Sequence, residues 1–580
     1  MHEFRVWAPR AQKVAVRIGE AAYAMSQVGD RGWWSAKVDE AGPGTDYSFL
    51  LDDDTTPYPD PRAFWMPHGV HGASRVYGTG DFAWKDQGWH APPLSSAIIY
   101  ELHIGTFTPA GTFDSAIERL PHLSELGVTH VEIMPIAEFP GDFGWGYDGV
   151  ALFAAREAYG GPDGLKRLVD ACHAQGLAVL LDVVYNHFGP VGNYAGRFGP
   201  YLTSNHCTPW GDAVNLEFAQ SDEVRRFFCD NALMWLEEYH IDGLRLDAVH
   251  EYVDRSAIHF MEQLSMEVQD LSTRLGRQFV LVAESDLNDP RVVRQREANG
   301  YGMDAQWNDD FHHALFTVLD PGGDGKGYYS DFGSMERLAK ALTQVFVYDG
   351  MYSYYRHRNH GRRVENLSTH RFVGFIQNHD QVGNRATGDR LEHIVGLDRA
   401  KAALGLVLTS PFVPLLFQGE EFAASSPFQY FAHHEEEEMA RAVSEGRKRE
   451  FAAFGWLPEE VADPESRDTF ERSKLNWDEV REGRHAEMLR WCKSLIAFRR
   501  ESKCLSEGEL GHVAVRFDEK GKWLVMDRST LRIALNLGSS PVSFDDCASY
   551  TMVLRSEDDV RLDAGNLNLP PSRVAILSSV

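Results

Sequence analysis

Gly243-Leu244-Arg245-Leu246-Asp247-Ala248-Val249-His250, residues 243–250, alternates its side chains with the period of two expected of a short β-strand. Leu244 and Leu246 share one face, and Arg245, Asp247 and Val249 share the other. A strand that commits a guanidinium and a carboxylate to one face must present them to something polar. The surrounding sequence says where such a face could look.

Seven further apolar runs have the same strand-like character: AIIYELHIG (97–105), VTHVEIMPI (128–136), LAVLLDVVYNH (177–187), QFVLVAES (278–285), MDAQWND (303–309), FVGFIQNHD (372–380) and PFVPLLFQGEE (411–421). Amphipathic helical stretches lie between them, among them PDGLKRLVDACHAQG (162–176) and EVRRFFCDNALMWLEEYH (223–240). Eight strands alternating with helices predict an α/β fold, a (β/α)8 TIM barrel with parallel strands. Residues 1–92, with FRVWAP, KVAVRI, GWWSAKV and DYSFLL, read as an N-terminal β-sandwich module. Residues 93–495 are expected to hold the barrel, with an insertion at about 188–220 too long for an ordinary βα loop. Residues 500–580 return to short β runs (HVAVRF, KWLVMD, RIALNL, YTMVL, RVAILS) and predict a C-terminal antiparallel β-domain.

The totals narrow the class of function. Acidic residues outnumber basic ones 85 to 57, a net charge of −28. That balance disfavours nucleic acid and anionic membranes as partners, since both need a basic footprint. The 14 Trp within a 12% aromatic content supply apolar platforms of the kind on which sugar rings stack. Six dispersed cysteines form no CxxC pair and no zinc-ligand spacing, the N-terminus lacks an apolar signal core, and the most apolar run, 402–417, is short and holds two prolines. These features predict a cytoplasmic protein with no cofactor and no metal.

In a barrel of this kind the active site lies at the C-terminal ends of the strands. The third strand ends in Asp182 and Asn186-His187, the fourth in Arg245, Asp247 and His250, the fifth in Glu284, the seventh in Asn378-His379-Asp380. Carboxylates converging on one rim point to glycoside hydrolysis, where a retaining enzyme needs a nucleophile and a separate acid/base. Arg245, two residues before Asp247 on the same face, favours an ionised nucleophile. Glu284 follows the apolar run VLVA, where desolvation favours a proton donor.

The blocks DVVYNH (182–187), GLRLDAVH (243–250), LVAES (281–285) and FIQNHD (375–380) resemble, in order and spacing, the four motifs of the alpha-amylase family of glycoside hydrolases. The resemblance implies Asp247 as nucleophile, Glu284 as general acid/base and Asp380 as the third acid, with Arg245 orienting Asp247. It further implies that His187 and His379 bind the sugar in the cleavage subsite and that Tyr147, in GWGYDGV (144–150), stacks against it. Asn186 occupies the place from which some members bind calcium, but no Asp-rich loop accompanies it. NHFGPVGNYAGRFGPY (186–201), TPWGDAVN (208–215) and FIQNHDQVGNRATGDRL (375–391) resemble the members that act on maltooligosyltrehalose and related α-glucan oligosaccharides. Those enzymes cleave, with retention, the α-1,4 bond that joins a terminal trehalose to a maltooligosaccharide.

Other readings share parts of this pattern. A glucan α-1,6 debranching or branching enzyme would carry the same three acids, and the module beginning FRVWAP resembles theirs. A metal-dependent barrel hydrolase could use His187, Asp247, Glu284, His379 and Asp380 as ligands, but Arg245 would repel a divalent cation. A carbohydrate-binding protein without activity has no need of an intact set of acids.

Overall fold

The structure, a computed structural model, describes residues 1–320, 327–452 and 456–579. Eight parallel strands close into a barrel in sequence order: β1 (Ile99–Leu102), β2 (His130–Ile133), β3 (Ala178–Val183), β4 (Gly243–Leu246), β5 (Val280–Ala283), β6 (Ala305–Trp307), β7 (Phe372–Gly374) and β8 (Val413–Phe417). Each falls within one of the eight runs identified above.

The alternation along each strand sorts side chains between two environments. Leu244 and Leu246 on β4, Val179 and Leu181 on β3, and Leu281 and Ala283 on β5 join the large apolar cluster that also contains residues of the surrounding helices. Truncating such a buried leucine to alanine costs about 2–5 kcal/mol. The opposite residues face inward. Ile99, Leu180, Val282, Ala305, Val373, Val413 and Leu415 make an apolar plug, and toward the C-terminal rim the pattern turns polar. Glu101 is paired in register with Glu132, and Asp182 with Arg245, all four at 2% exposure or less. Gly243 opens β4 because a Cβ there would lie 2.5 Å from the carbonyl oxygen of Val280 and 2.8 Å from Leu180.

The octet 243–250 is not a strand throughout. β4 stops at Leu246, Ala248 takes a left-handed conformation (φ 39°), and Val249–Glu251 form a 3₁₀ turn. Val249 therefore leaves the Arg245–Asp247 face and packs into the outer apolar cluster. A left-handed alanine is strained, and strain of this kind concentrates where a site over-determines the backbone.

Antiparallel sheets flank the barrel in sequence. Before it stand a three-stranded sheet (His2–Trp7, Trp33–Val38, Ser26–Val28) and a four-stranded one centred on Val14–Ile18 and Asp46–Leu51. After it come a five-stranded sheet, Val513–Asp518 through Arg573–Ser579, and a three-stranded one. The long segment after β3 folds into a short helix (Ala195–Phe198) and a hairpin (Leu202–Thr208, Gly211–Val214). Among the described residues no helix is long and apolar enough to cross a membrane.

Candidate active site

Arg245 is the hub of the rim. Its side chain is fully buried. Nη1 donates to Asp182 Oδ2 at 2.7 Å and to Asp247 Oδ1 at 2.8 Å, and Nη2 lies 3.0 Å from Glu284 Oε2. The guanidinium also rests on the Trp307 ring, 4.3 Å from its centroid. One planar cation thus meets carboxylates from β3, from the end of β4 and from the end of β5, the fork geometry that arginine offers and lysine does not.

Asp247 receives a second hydrogen bond, 2.9 Å from Asn186 Nδ2, and its own N–H donates to Val183 O. Glu284 does not stand in the apolar surroundings that the run before it suggests. Besides Arg245, its Oε2 accepts the Ala248 N–H at 2.8 Å, a donor that the left-handed turn aims inward. The apolar residues of VLVA describe the strand, whereas the carboxylate extends past its end into the polar rim.

Asp182 is buried and accepts from both Tyr147 OH, at 2.6 Å, and Arg245. Burial pushes its carboxyl up to about 7 against the pull of Arg245. Tyr147 OH also lies 2.7 Å from His379 Nε2, and the tyrosine ring stacks on the imidazole with centroids 5.2 Å apart. Tyr147 reaches this place because the loop turns tightly at Gly146 (φ 103°), where a Cβ would collide with Pro135 O.

His379 sits on the first turn of a short helix capped by Asn378. Glu101 grips it twice, Oε2 accepting its backbone N–H at 2.9 Å and Oε1 meeting Nδ1. Burial alone would lower the imidazole, but Glu101 and then Asp380 outweigh it and raise it to about 9. Asp380 is partly exposed, accepts from Asn384 Nδ2 at 3.0 Å and lies 3.5 Å from His379 Nε2. His187 is buried, and burial pushes it down to about 4. Its Nδ1 lies 2.7 Å from Asn186 Oδ1 and its Nε2 3.1 Å from Tyr147 O, two acceptors of which the neutral imidazole, with its single N–H, can serve one at a time. Trp210, at the tip of the hairpin after β3, stacks flat on His187 with centroids 4.6 Å apart and planes 6° from parallel. It is 49% exposed.

All seven residues predicted from sequence therefore gather at one end of the barrel, in one connected network. Three further members join the network; the sequence offers Trp307, in the segment 307–310, and Trp210, in the loop 188–215, as candidates for reading the trehalose end, and does not single out Glu101. Glu101 is an acid in the middle of an apolar strand, a signal that was present and unused. Trp307 ends β6. Trp210 lies in the insertion, and only the folded hairpin carries it to His187. Asn186 needs no ion to account for it, since its amide nitrogen serves Asp247 and its oxygen serves His187.

A profile of the alpha-amylase catalytic domain matches residues 78–198, and one of a domain of unknown function (DUF3459) matches residues 508–576. The chain is 45% identical to the malto-oligosyltrehalose trehalohydrolase of Rhizobium sp. (strain M-11), over 99% of this chain and 97% of that protein. It is 47% identical to the malto-oligosyltrehalose trehalohydrolase of Mycobacterium tuberculosis (strain CDC 1551 / Oshkosh), over 93% of each. A crystal structure of a Salmonella typhimurium protein described as an alpha amylase superposes with a TM-score of 0.91 at 38% identity, covering 100% of this chain and 97% of that one.

Proposed function

The chain belongs to the malto-oligosyltrehalose trehalohydrolases of the alpha-amylase family of glycoside hydrolases, and from that premise we propose that it hydrolyses maltooligosyltrehalose to trehalose and a maltooligosaccharide, with Asp247, Glu284 and Asp380 as its catalytic acids. Asp247 attacks the anomeric carbon on the maltooligosaccharide side of the α-1,4 bond. Glu284 protonates the departing trehalose oxygen, and the covalent glycosyl-enzyme is then hydrolysed by a water that Glu284 deprotonates. Asp380 holds hydroxyls of the distorted sugar, and Tyr147, His187, Arg245 and His379 shape the subsite around it.

The observation that carries this reading is the single guanidinium of Arg245 between Asp247 and Glu284. It contacts both carboxylates, Asp247 at 2.8 Å and Glu284 at 3.0 Å, which supports their pairing as the nucleophile and acid/base of a double displacement. It also aims Asp247 while neutralising part of the charge that crowds the rim, an electrostatic preorganisation that costs nothing at the moment of reaction. The same geometry would serve a debranching or branching enzyme, so substrate choice rests on kinship with the trehalohydrolases. The six free cysteines fit a cytoplasmic location.

Product analysis on maltopentaosyl trehalose tests the reading. The expected products are trehalose and maltopentaose in equal amounts. Absence of trehalose, with activity on a branched glucan instead, would overturn it.

A further inference from the structure

β6 lies in the barrel between β5, which ends in Glu284, and β7, which leads to Asp380. It runs into Asn308-Asp309-Asp310, and these three residues are used very differently. Asn308 caps the helix Asp309–Leu319, its side chain accepting the Phe311 N–H. Asp310 is buried and satisfied three times, by the N–H groups of Val347 and Tyr348 at 2.7 and 2.8 Å and by Asn288 Nδ2 at 2.9 Å. It pins one loop to another. Asp309 has one long hydrogen bond, 3.3 Å from Gln381 Nε2, and among the described residues it has no ion pair with a cation.

Its surroundings make that isolation costly. The principal charges facing Asp309 are the carboxylates of Glu284, Asp286, Asp380 and Asp310. Arg356 pairs with Asp286. An acid in the first turn of a helix gains typically about 0.3–1 kcal/mol from the helix dipole, and up to about 2 kcal/mol where it is partly buried. That is small beside the crowding of several carboxylates in one cleft, where like charges disfavour ionisation. A partly exposed carboxyl kept in such company, with its hydrogen-bonding capacity almost unused, has a partner that arrives with the substrate.

We propose that Asp309 is a specificity-determining residue that hydrogen-bonds a hydroxyl of the leaving disaccharide. The side is set by its neighbours. Asp309 flanks Glu284, the group on the leaving-oxygen side, and β5 separates its strand from β4 and Asp247. Burial and the carboxylates of Glu284, Asp286 and Asp380 hold its carboxyl well above the usual carboxylate range. In its protonated form the carboxyl offers the sugar an O–H donor with a carbonyl acceptor, which suits a disaccharide made only of hydroxyls and ether oxygens. Gln381 steadies it, and Tyr329 OH steadies Gln381 at 3.3 Å.

This inference rests on the trehalose reading above, and its test separates the two. Wild-type enzyme that releases no trehalose from maltopentaosyl trehalose sinks the substrate reading, whatever any variant does. With trehalose release in hand, inhibition by trehalose and by maltopentaose is measured for wild type, Asp309→Leu and Asp309→Asn. Leucine keeps the branched skeleton, at a larger volume, and removes every polar atom, whereas asparagine keeps the volume with a donor group and an acceptor, as a protonated carboxyl does. Asp309→Leu should weaken trehalose inhibition about tenfold, the size of one good hydrogen bond, and maltopentaose inhibition by less. Asp309→Asn should stay within about threefold of wild type for both. Equal weakening of both inhibitors by Asp309→Leu, no weakening of either, or a loss in Asp309→Asn as large as in Asp309→Leu would each overturn the proposal.

Discussion

Arg245 Nη1 lies 2.8 Å from Asp247 Oδ1, and the same guanidinium meets Asp182 and Glu284 through its two terminal nitrogens. A buried cation serving three acids is hard to replace. Arg245→Ala leaves three carboxylates facing one another, and removing one partner of a buried charge set costs about 3–5 kcal/mol. Arg245→Lys keeps the charge but cannot fork, and should reduce kcat/KM at least about 100-fold. Thermal melts and steady-state kinetics check both. A lysine variant within threefold of wild type would mean that charge alone suffices.

Glu101 and His379 define a pH dependence. His379 is raised to about 9 from an ordinary value of 6.5, burial being outweighed by Glu101 and Asp380. Because the folded value lies above the unfolded one, the stabilisation is fully present below about pH 6.5 and is lost as pH rises through about 9; it amounts to about 3 kcal/mol. Glu101→Gln removes the largest raising influence. The variant should melt at a lower temperature than wild type at pH 6, and the difference should shrink toward pH 9.5. Melting curves that run parallel across that range would contradict the pairing.

Trp210 and His187 form a stacked pair whose indole is half exposed beside the rim. A sugar ring packed on that face loses its platform in Trp210→Ala. KM should rise about tenfold, equivalent to about 1.4 kcal/mol, with kcat changed less than about threefold. An unchanged KM would remove the hairpin tip from the binding surface.

Asn186 bears on metal dependence. Its two amide atoms are committed to Asp247 and His187 at 2.9 and 2.7 Å. Treatment with a chelator should therefore leave both the rate and the melting temperature unchanged. A loss of activity that added calcium restores would show that an ion is needed despite these bonds. Asn186→Ala, which frees one oxygen of Asp247, should instead lower kcat by about tenfold or more, in line with the loss of a hydrogen bond to a charged group.

The barrel was legible because its signals are local. Each of the eight strands is a run of apolar residues with a helix pattern behind it, and periodicity places them without any long-range information. The residues at strand ends were legible for the same reason: Asp182, Asp247 and Glu284 follow directly from where the runs stop. What resisted was set by turns and by contacts distant in sequence. Nothing in GLRLDAVH shows that Ala248 turns left-handed and presents its N–H to Glu284, so the octet read as a longer strand and Glu284 as standing in an apolar environment. The stacking of Trp210 on His187 depends on a hairpin folding back across 23 residues. Glu101 sits 278 residues from the histidine it holds, a pairing that only closure of the barrel between β8 and β1 brings about.

The stereochemistry of the first turnover tests the central claim most directly. Proton NMR of maltopentaosyl trehalose mixed with the enzyme follows the newly formed reducing end before mutarotation. Attack by Asp247 and then by water predicts that the α-anomer of maltopentaose appears first, together with an equal amount of trehalose. Initial release of the β-anomer, or of glucose in place of trehalose, would contradict the account.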